Sequence, residues 1–261
     1  MINDSWASPP LTQPQPLPEA SVRVMRYARA LVLTLLVVFA SSAVTAASAT
    51  AAPEFLHSGK EVVNKSVKIQ GKTVKMYVEL GAIKYYVTCS SSTSEGGEIN
   101  GTTEVRNVKA RFKGCLAKES EELHQCSVRS FSPSGAEGEV ITKTLKGKLG
   151  EVATSEATSE VGLKLEPASG FVYVTLTGST ECLPAETVEA KGSLIGEVTP
   201  IGGEGVIISG QITYKTKEEK HQLIRKFKGE SAVHELEYFE IPIAIESEDK
   251  VEYGEKVVVT L

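Results

Sequence analysis

Apolar and polar residues alternate along most of this chain, and almost nowhere do they recur at the three-to-four-residue spacing of a helix. In Ile83–Cys89 the side chains of Ile83, Tyr85, Val87 and Cys89 fall on one face, with Lys84, Tyr86 and Thr88 on the other. Glu104–Lys113 alternates in the same way, placing Val108, Ala110 and Phe112 inward and Asn107, Lys109 and Arg111 outward. Separated by the polar run SSSTSEGGEING, the two read as a hairpin or as neighbouring strands. A half-buried strand is also predicted at 72–80, with Val74, Met76, Val78 and Leu80 inward and Gly71 turning the chain from the preceding SVKIQ. Another is predicted at 160–166, with Val161, Leu163 and Leu165 inward, while 171–177 carries large residues on both faces and reads as a central strand.

Residues 187–199 are long enough to bend, and Gly192 and Gly196 mark a bulge or a barrel corner. The GGEG at 202–205 turns the chain into 206–215, with Val206, Ile208, Ile212 and Tyr214 inward, and KTKEEKHQ forms the tip of a charged hairpin leading into 223–228. Strands at 235–245 and 256–261, around the turn SEDKVEYGE, close the chain. Strands so short and so regularly spaced predict an all-β protein, an antiparallel β-sandwich or β-barrel. One domain over 52–261 is expected, the other division being a small C-terminal β unit from about residue 217.

The amino-terminal region is of a different kind. Residues 1–21 are rich in Pro, Ser and Gln, and Arg23, Arg26 and Arg29 then precede an uncharged apolar run at 30–40 and a stretch of small residues. That order predicts a bacterial-type signal peptide, with translation starting at Met25 and cleavage after Ala51. The uncharged segment 30–52 is also long enough to stay as an uncleaved anchor. Export suits an even cysteine count, because disulfides persist in oxidising compartments. Four cysteines allow three pairings. The short hydrophilic loop LAKESEELHQ favours Cys115 with Cys126, which leaves Cys89 for Cys182.

Charge removes some partners from consideration. The chain carries −5, and losing residues 1–51 removes Asp4, Glu19 and three arginines, leaving −6. Lysines scattered singly over a mildly acidic domain do not make a surface for nucleic acid, or for an anionic membrane once the signal is cleaved. Beyond Ala51 there is no Trp, Asp249 is the one Asp, and the histidines are His57, His124, His221 and His234. No Gly-x-Ser-x-Gly elbow, phosphate-binding loop, His-Glu-x-x-His or calcium loop is present. No catalytic residue, cofactor or metal site is therefore assigned.

Weaker patterns point to particular residues. Ser247 and Lys250 have the Ser-x-x-Lys spacing of acyl-transfer enzymes but fall in a predicted solvated turn. His234, Glu235 and Glu237, with His221, could supply metal ligands, although histidines in charged loops are more often solvated. Tyr85, Tyr86, Tyr173, Tyr214 and Tyr238 offer flat apolar faces with polar tips. Tyr85 and Tyr214 sit in register with aliphatic residues and read as core, whereas Tyr86 faces out and is the candidate ligand contact. Asn64 and Asn100 head sequons that matter only in a glycosylating host.

Gly114-Cys115 after an alternating strand, TKTLKGKLG at 142–150, VGLKLEP at Val161–Pro167 and GSLIGEVTP at 192–200 together resemble a family of uncharacterised secreted, disulfide-containing, β-rich proteins of actinobacterial type. The resemblance spans residues 83–200 and implies export and a compact β-fold, with no activity attached. The long polar loop before Cys126 departs from the family pattern. The expectation from all these features is a secreted or cell-envelope-associated, non-enzymatic β domain. It would bind through its loops to a cell-wall component or another secreted protein, or serve as an envelope component. A β-barrel carrier of a small apolar ligand is the second reading, marked by surplus inward apolar positions around a cavity. A hydrolase of wall polysaccharide, using two opposed Glu, is the third.

Overall fold

The computed structural model describes residues 52–260 apart from 120–124, 155, 158, 171, 179–186 and 200–206, and only the backbone of Ile207, Ile208 and Glu255. The expected signal peptide with its Met25 start, together with Cys182, His124, Phe171 and Val206, lies outside the described residues. Within them the chain is all-β. The strands are β1 (Glu54–His57), β2 (Lys60–Glu61), β3 (Val63–Leu80), β4 (Ile83–Cys89), β5 (Ser91–Glu95), β6 (Glu98–Asn100) and β7 (Glu104–Lys113). They continue with β8 (Leu116–Glu119), β9 (Cys126–Ser130), β10 (Glu139–Ile141), β11 (Leu145–Glu151), β12 (Val161–Pro167), β13 (Val172–Gly178) and β14 (Val188–Gly192). The last are β15 (Leu194–Thr199), β16 (Ile207–Tyr214), β17 (Thr216–Lys217), β18 (His221–Gln222), β19 (Leu236–Tyr238) and β20 (Ile241–Thr260).

Following the antiparallel ladders from strand to strand closes two rings. The first runs from β3 through β5 and β6, then β7, β11, β12, β15, β16 and β20, and returns to β3. The second runs from β3 through β4, β8, β9, β13, β14, β19 and β20, again returning to β3. The protein is thus two β-barrels fused along the two long strands, β3 of 18 residues and β20 of 20. Closure leaves few open edges, which is how barrels avoid pairing with other chains.

A one-residue bulge lets β3 serve both rings. In the first ring Gly71 pairs with Asp249, and in the second Val74 pairs with Ser247, so Lys72 and Thr73 together oppose Glu248. An extra residue reverses which side alternate residues face. Val67 is therefore buried on one side of the bulge and Val74 and Met76 on the other, odd numbers giving way to even. The turn expected at Gly71 is this bulge, and the strand passes straight through it. The turn expected at SEDKVEYGE is likewise absent. β20 continues through it, because β3 and β16 supply ladder partners on both sides. The actual reversal comes earlier, at Phe239 and Glu240, both at positive φ.

Other expectations change in detail. Strands β4 and β7 have the predicted bounds but do not pair with each other. The polar run between them holds β5 and β6, which intervene. The long strand expected at 187–199 is broken into β14 and β15, where the chain crosses from the second ring to the first. Gly192 stands at the crossing with φ +111, and a Cβ there would lie 2.1 Å from the Glu235 carbonyl oxygen. Gly196 is interior to β15. Residues 223–228 form no strand, although Phe227 bridges Val152.

The preferred cysteine pairing is overturned. Cys89 is bonded to Cys115, and both are fully buried. The reason is register: β5 pairs Ser91 with Lys113, and continuing that ladder two residues further sets Cys89 opposite Cys115. Cys126 is also disulfide-bonded.

Candidate functional site

The two rings differ inside. In the first, Phe55, Val67, Val105, Leu163, Val198, Val251 and Tyr253 leave a void of only about 10 Å³. In the second, a cavity of about 240 Å³ occupies the lumen and continues past the junction, where Ile69, Val108, Phe112, Leu165 and Ile212 of the first ring's strands also line it. Its wall is aliphatic: Met76 and Val78 from β3, Val87 from β4, Ala117 from β8, Val174 from β13, Ala190 from β14, Ile243 and Ile245 from β20. These are the inward positions of alternating strands. Two of them, Ala117 and Ala190, carry only a methyl group and leave the lumen space that larger side chains would take. The lining reaches Leu80, Gly178 and Tyr238 at the ends of β3, β13 and β19. Beside that end, Phe239 is 82% exposed.

The opposite end of the cavity is polar. Asp249 is buried there between two hydroxyls: Ser92 Oγ donates to Oδ1 at 2.5 Å and Ser247 Oγ donates to Oδ2 at 2.8 Å. No cation pairs with Asp249 among the described residues. The absence of a side chain on Gly71 makes the arrangement possible, since a Cβ there would fall 1.9 Å from Asp249 Oδ1 and 2.3 Å from Ser92 Oγ. Tyr173 and Tyr214, both buried, border the same cavity. Burial, and then the charge of Asp249, push the Tyr173 phenol up; burial, then Tyr173 and Asp249, do the same for Tyr214. Both phenols therefore stay protonated.

Burial also raises the pKa of Asp249, and the two serine hydrogen bonds offset this only in part. A carboxyl whose folded pKa is raised contributes stability that is full below its unfolded pKa and is lost as pH rises through the folded value. Asp249→Asn is accordingly expected to gain stability relative to wild type as pH climbs from the acid range towards neutrality, measured as the difference in urea-unfolding free energy. A difference independent of pH would count against it. Glu139, held low by Arg111, has the opposite slope in both proteins and cancels.

The residues singled out in the sequence are dispersed. Tyr86 is among those bordering the cavity, and its ring lies edge-on to Tyr77 at 5.6 Å with Lys118 Nζ 5.8 Å from its centroid. Tyr77 in turn donates to Glu246 at 2.7 Å. Tyr85, Tyr173, Tyr214 and Tyr238 all border the cavity, so the core reading of Tyr85 and Tyr214 becomes a lumen reading. Ser247 and Lys250 do not meet: Ser247 is buried against Asp249, while Lys250 is exposed and pairs with Glu252 at 2.8 Å. The solvated turn expected there is a barrel wall.

His234, Glu235 and His221 are occupied by local partners. His234 hydrogen-bonds with Ser193 at 3.0 Å and Glu230 at 3.0 Å. Glu235 accepts from the Gln222 backbone at 2.8 Å and hydrogen-bonds with His221 at 3.2 Å. Glu237 is exposed. Among the described residues, no three His, Cys, Asp or Glu side chains are grouped as a metal would need.

What the sequence reading missed is Asp249 itself. The one available signal was that it is the lone Asp of the domain, following Ile243, Ile245 and Ser247 at two-residue spacing. No protein-family model matches the chain, nor does any curated protein or solved structure.

Proposed function

We propose that this is a secreted, non-enzymatic binding protein that carries a small, mainly apolar ligand in the lumen of its second ring. The observation that supports it is the contrast between the two barrels. The same chain leaves only about 10 Å³ deep in the first lumen but about 240 Å³ in the second and across the junction between them. At about 24 cal/mol for each Å³ of cavity, such a void costs on the order of 6 kcal/mol relative to a filled core. That is comparable to the entire net stability of many domains. A packing defect of this size is readily removed by larger side chains, so its retention favours an occupant. The volume exceeds the roughly 150 Å³ of an apolar cavity that admits benzene and falls below the roughly 300 Å³ at which drug-sized pockets begin.

The test uses n-propylbenzene and isothermal titration calorimetry on the purified protein. Wild type is expected to bind it, and Ala117→Leu and Ala190→Leu to weaken binding by about tenfold or more. Each substitution is expected to add about 1 kcal/mol of stability by filling the void. Equal binding by the filled variants would place the probe elsewhere and sink the reading, as would no binding by wild type.

A further inference from the structure

A carboxyl group at the end of an apolar lumen is an expensive thing to keep. Replacing Asp249 by an aliphatic residue would continue the row of Ile243, Ile245 and Val251, all inward and all buried. Instead the fold is arranged around the acid. The bulge at Lys72 and Thr73 sets Gly71 opposite Asp249, the missing side chain at Gly71 gives the carboxylate room, and Ser92 from β5 and Ser247 from β20 fix both oxygens. This is a built site with its rotamer determined from two sides, and it faces the cavity.

The chemistry of the site indicates what it receives. Each oxygen of this carboxyl group accepts one serine hydrogen bond, and those bonds favour the ionised, acceptor-only form against the burial that opposes it. Its remaining lone pairs have no cationic partner among the described residues, and the desolvation of the acid is already part of the folded state. A ligand bringing a positive charge gains the Coulomb attraction without having to desolvate the acid again. The groups beside Asp249 suit a cation as well. Tyr173 on β13 and Tyr214 on β16 present rings and phenol oxygens, and an ammonium is attracted to both. Ser92 and Ser247 hold the two carboxylate oxygens.

Resting on the carrier reading, we propose that Asp249 is the polar anchor of the lumen and that the ligand is a small amphipathic amine, its ammonium on Asp249 and its apolar body along the aliphatic wall. A neutral hydrocarbon would fill the same wall and leave the acid unpaired.

Two probes of the same shape separate this inference from the reading it rests on: phenethylamine, protonated near neutral pH, and n-propylbenzene, its neutral isostere. Titration calorimetry of the wild-type protein is expected to show the amine binding about ten to a hundred times more tightly, as a hydrogen bond to a charged group warrants. In Asp249→Asn that advantage is expected to disappear while n-propylbenzene binds as before. If both probes bind wild type equally, or if Asp249→Asn leaves the amine's affinity unchanged, the anchor role is overturned and the carrier reading stands. If neither binds, both fall. The wild-type comparison decides the matter even if the variant does not fold.

Discussion

The double variant Cys89→Ala, Cys115→Ala is expected to lose about 3.5 kcal/mol of stability, the chain-entropy value for a disulfide spanning 26 residues. Both sulfurs are fully buried, so the bond closes a loop already fixed at its ends by the β5–β7 ladder and stands where three strands of two rings converge. Urea unfolding of the variant against wild type gives the loss. Non-reducing digestion identifies the bond, since one peptide pair must link Cys89 to Cys115. A pair linking Cys89 to Cys182 would contradict the register on which the number depends. A loss below about 1 kcal/mol would mean that the ladder alone holds the loop in the unfolded ensemble as well.

Gly71→Ala is expected to cost about 2–5 kcal/mol, the sum of overpacking and of polar groups separated from their partners. The methyl group would sit 1.9 Å from Asp249 Oδ1, nearer than any real contact, so the carboxylate must leave Ser92 or the strands must part. The distinctive expectation is coupling. In an Asp249→Ala background the nearer of the two obstructing oxygens is gone and Ser92 Oγ, 2.3 Å away, is free to rotate once its acceptor is lost, so Gly71→Ala should cost at least about 1 kcal/mol less than in wild type, a non-additivity that neighbours in one network show. Equal costs in the two backgrounds would show that Gly71 matters for the bulge and not for the acid. Because the carboxylate it would displace is the proposed anchor, this variant should also bind phenethylamine more weakly than wild type.

Together these effects describe how one long strand pair supports two different interiors. On one side of the bulge the inward residues of β3 and β20 are packed against the first ring's other strands. On the other side they line a void that reaches back past the bulge to Ile69 and Asp249. The carboxylate sits at the junction, where β3, β5 and β20 meet, held by ladders that continue in both directions. A site at such a point is rigid for the same reason that the two rings are.

Much of the strand content could be read directly. The bounds of β4 and β7, the inward faces of β3, β7 and β12, and the break at Gly192 all follow from period-two alternation and from the residue that adopts a positive φ most readily, which are properties of short segments. The strand through Ser247, Glu248, Asp249 and Lys250 could not be read, since those residues favour turns when judged locally. The ladders from β3 and β16 hold them extended against that preference. The Cys89–Cys115 bond escaped for a related reason. Its register depends on β5, a strand of Ser, Thr and Glu with no apolar signal.

By itself, then, the sequence determined that this chain is a β protein and which side chains turn inward along its plainly alternating strands, such as β7 and β12, because alternation is local. Tertiary structure alone decided that the strands close into two rings, that a large cavity opens in the second and across the junction while the rest of the first is filled, and that a lone acid at that junction faces it. Those outcomes depend on which residues face each other across a lumen, and such distances are set only when the ring closes.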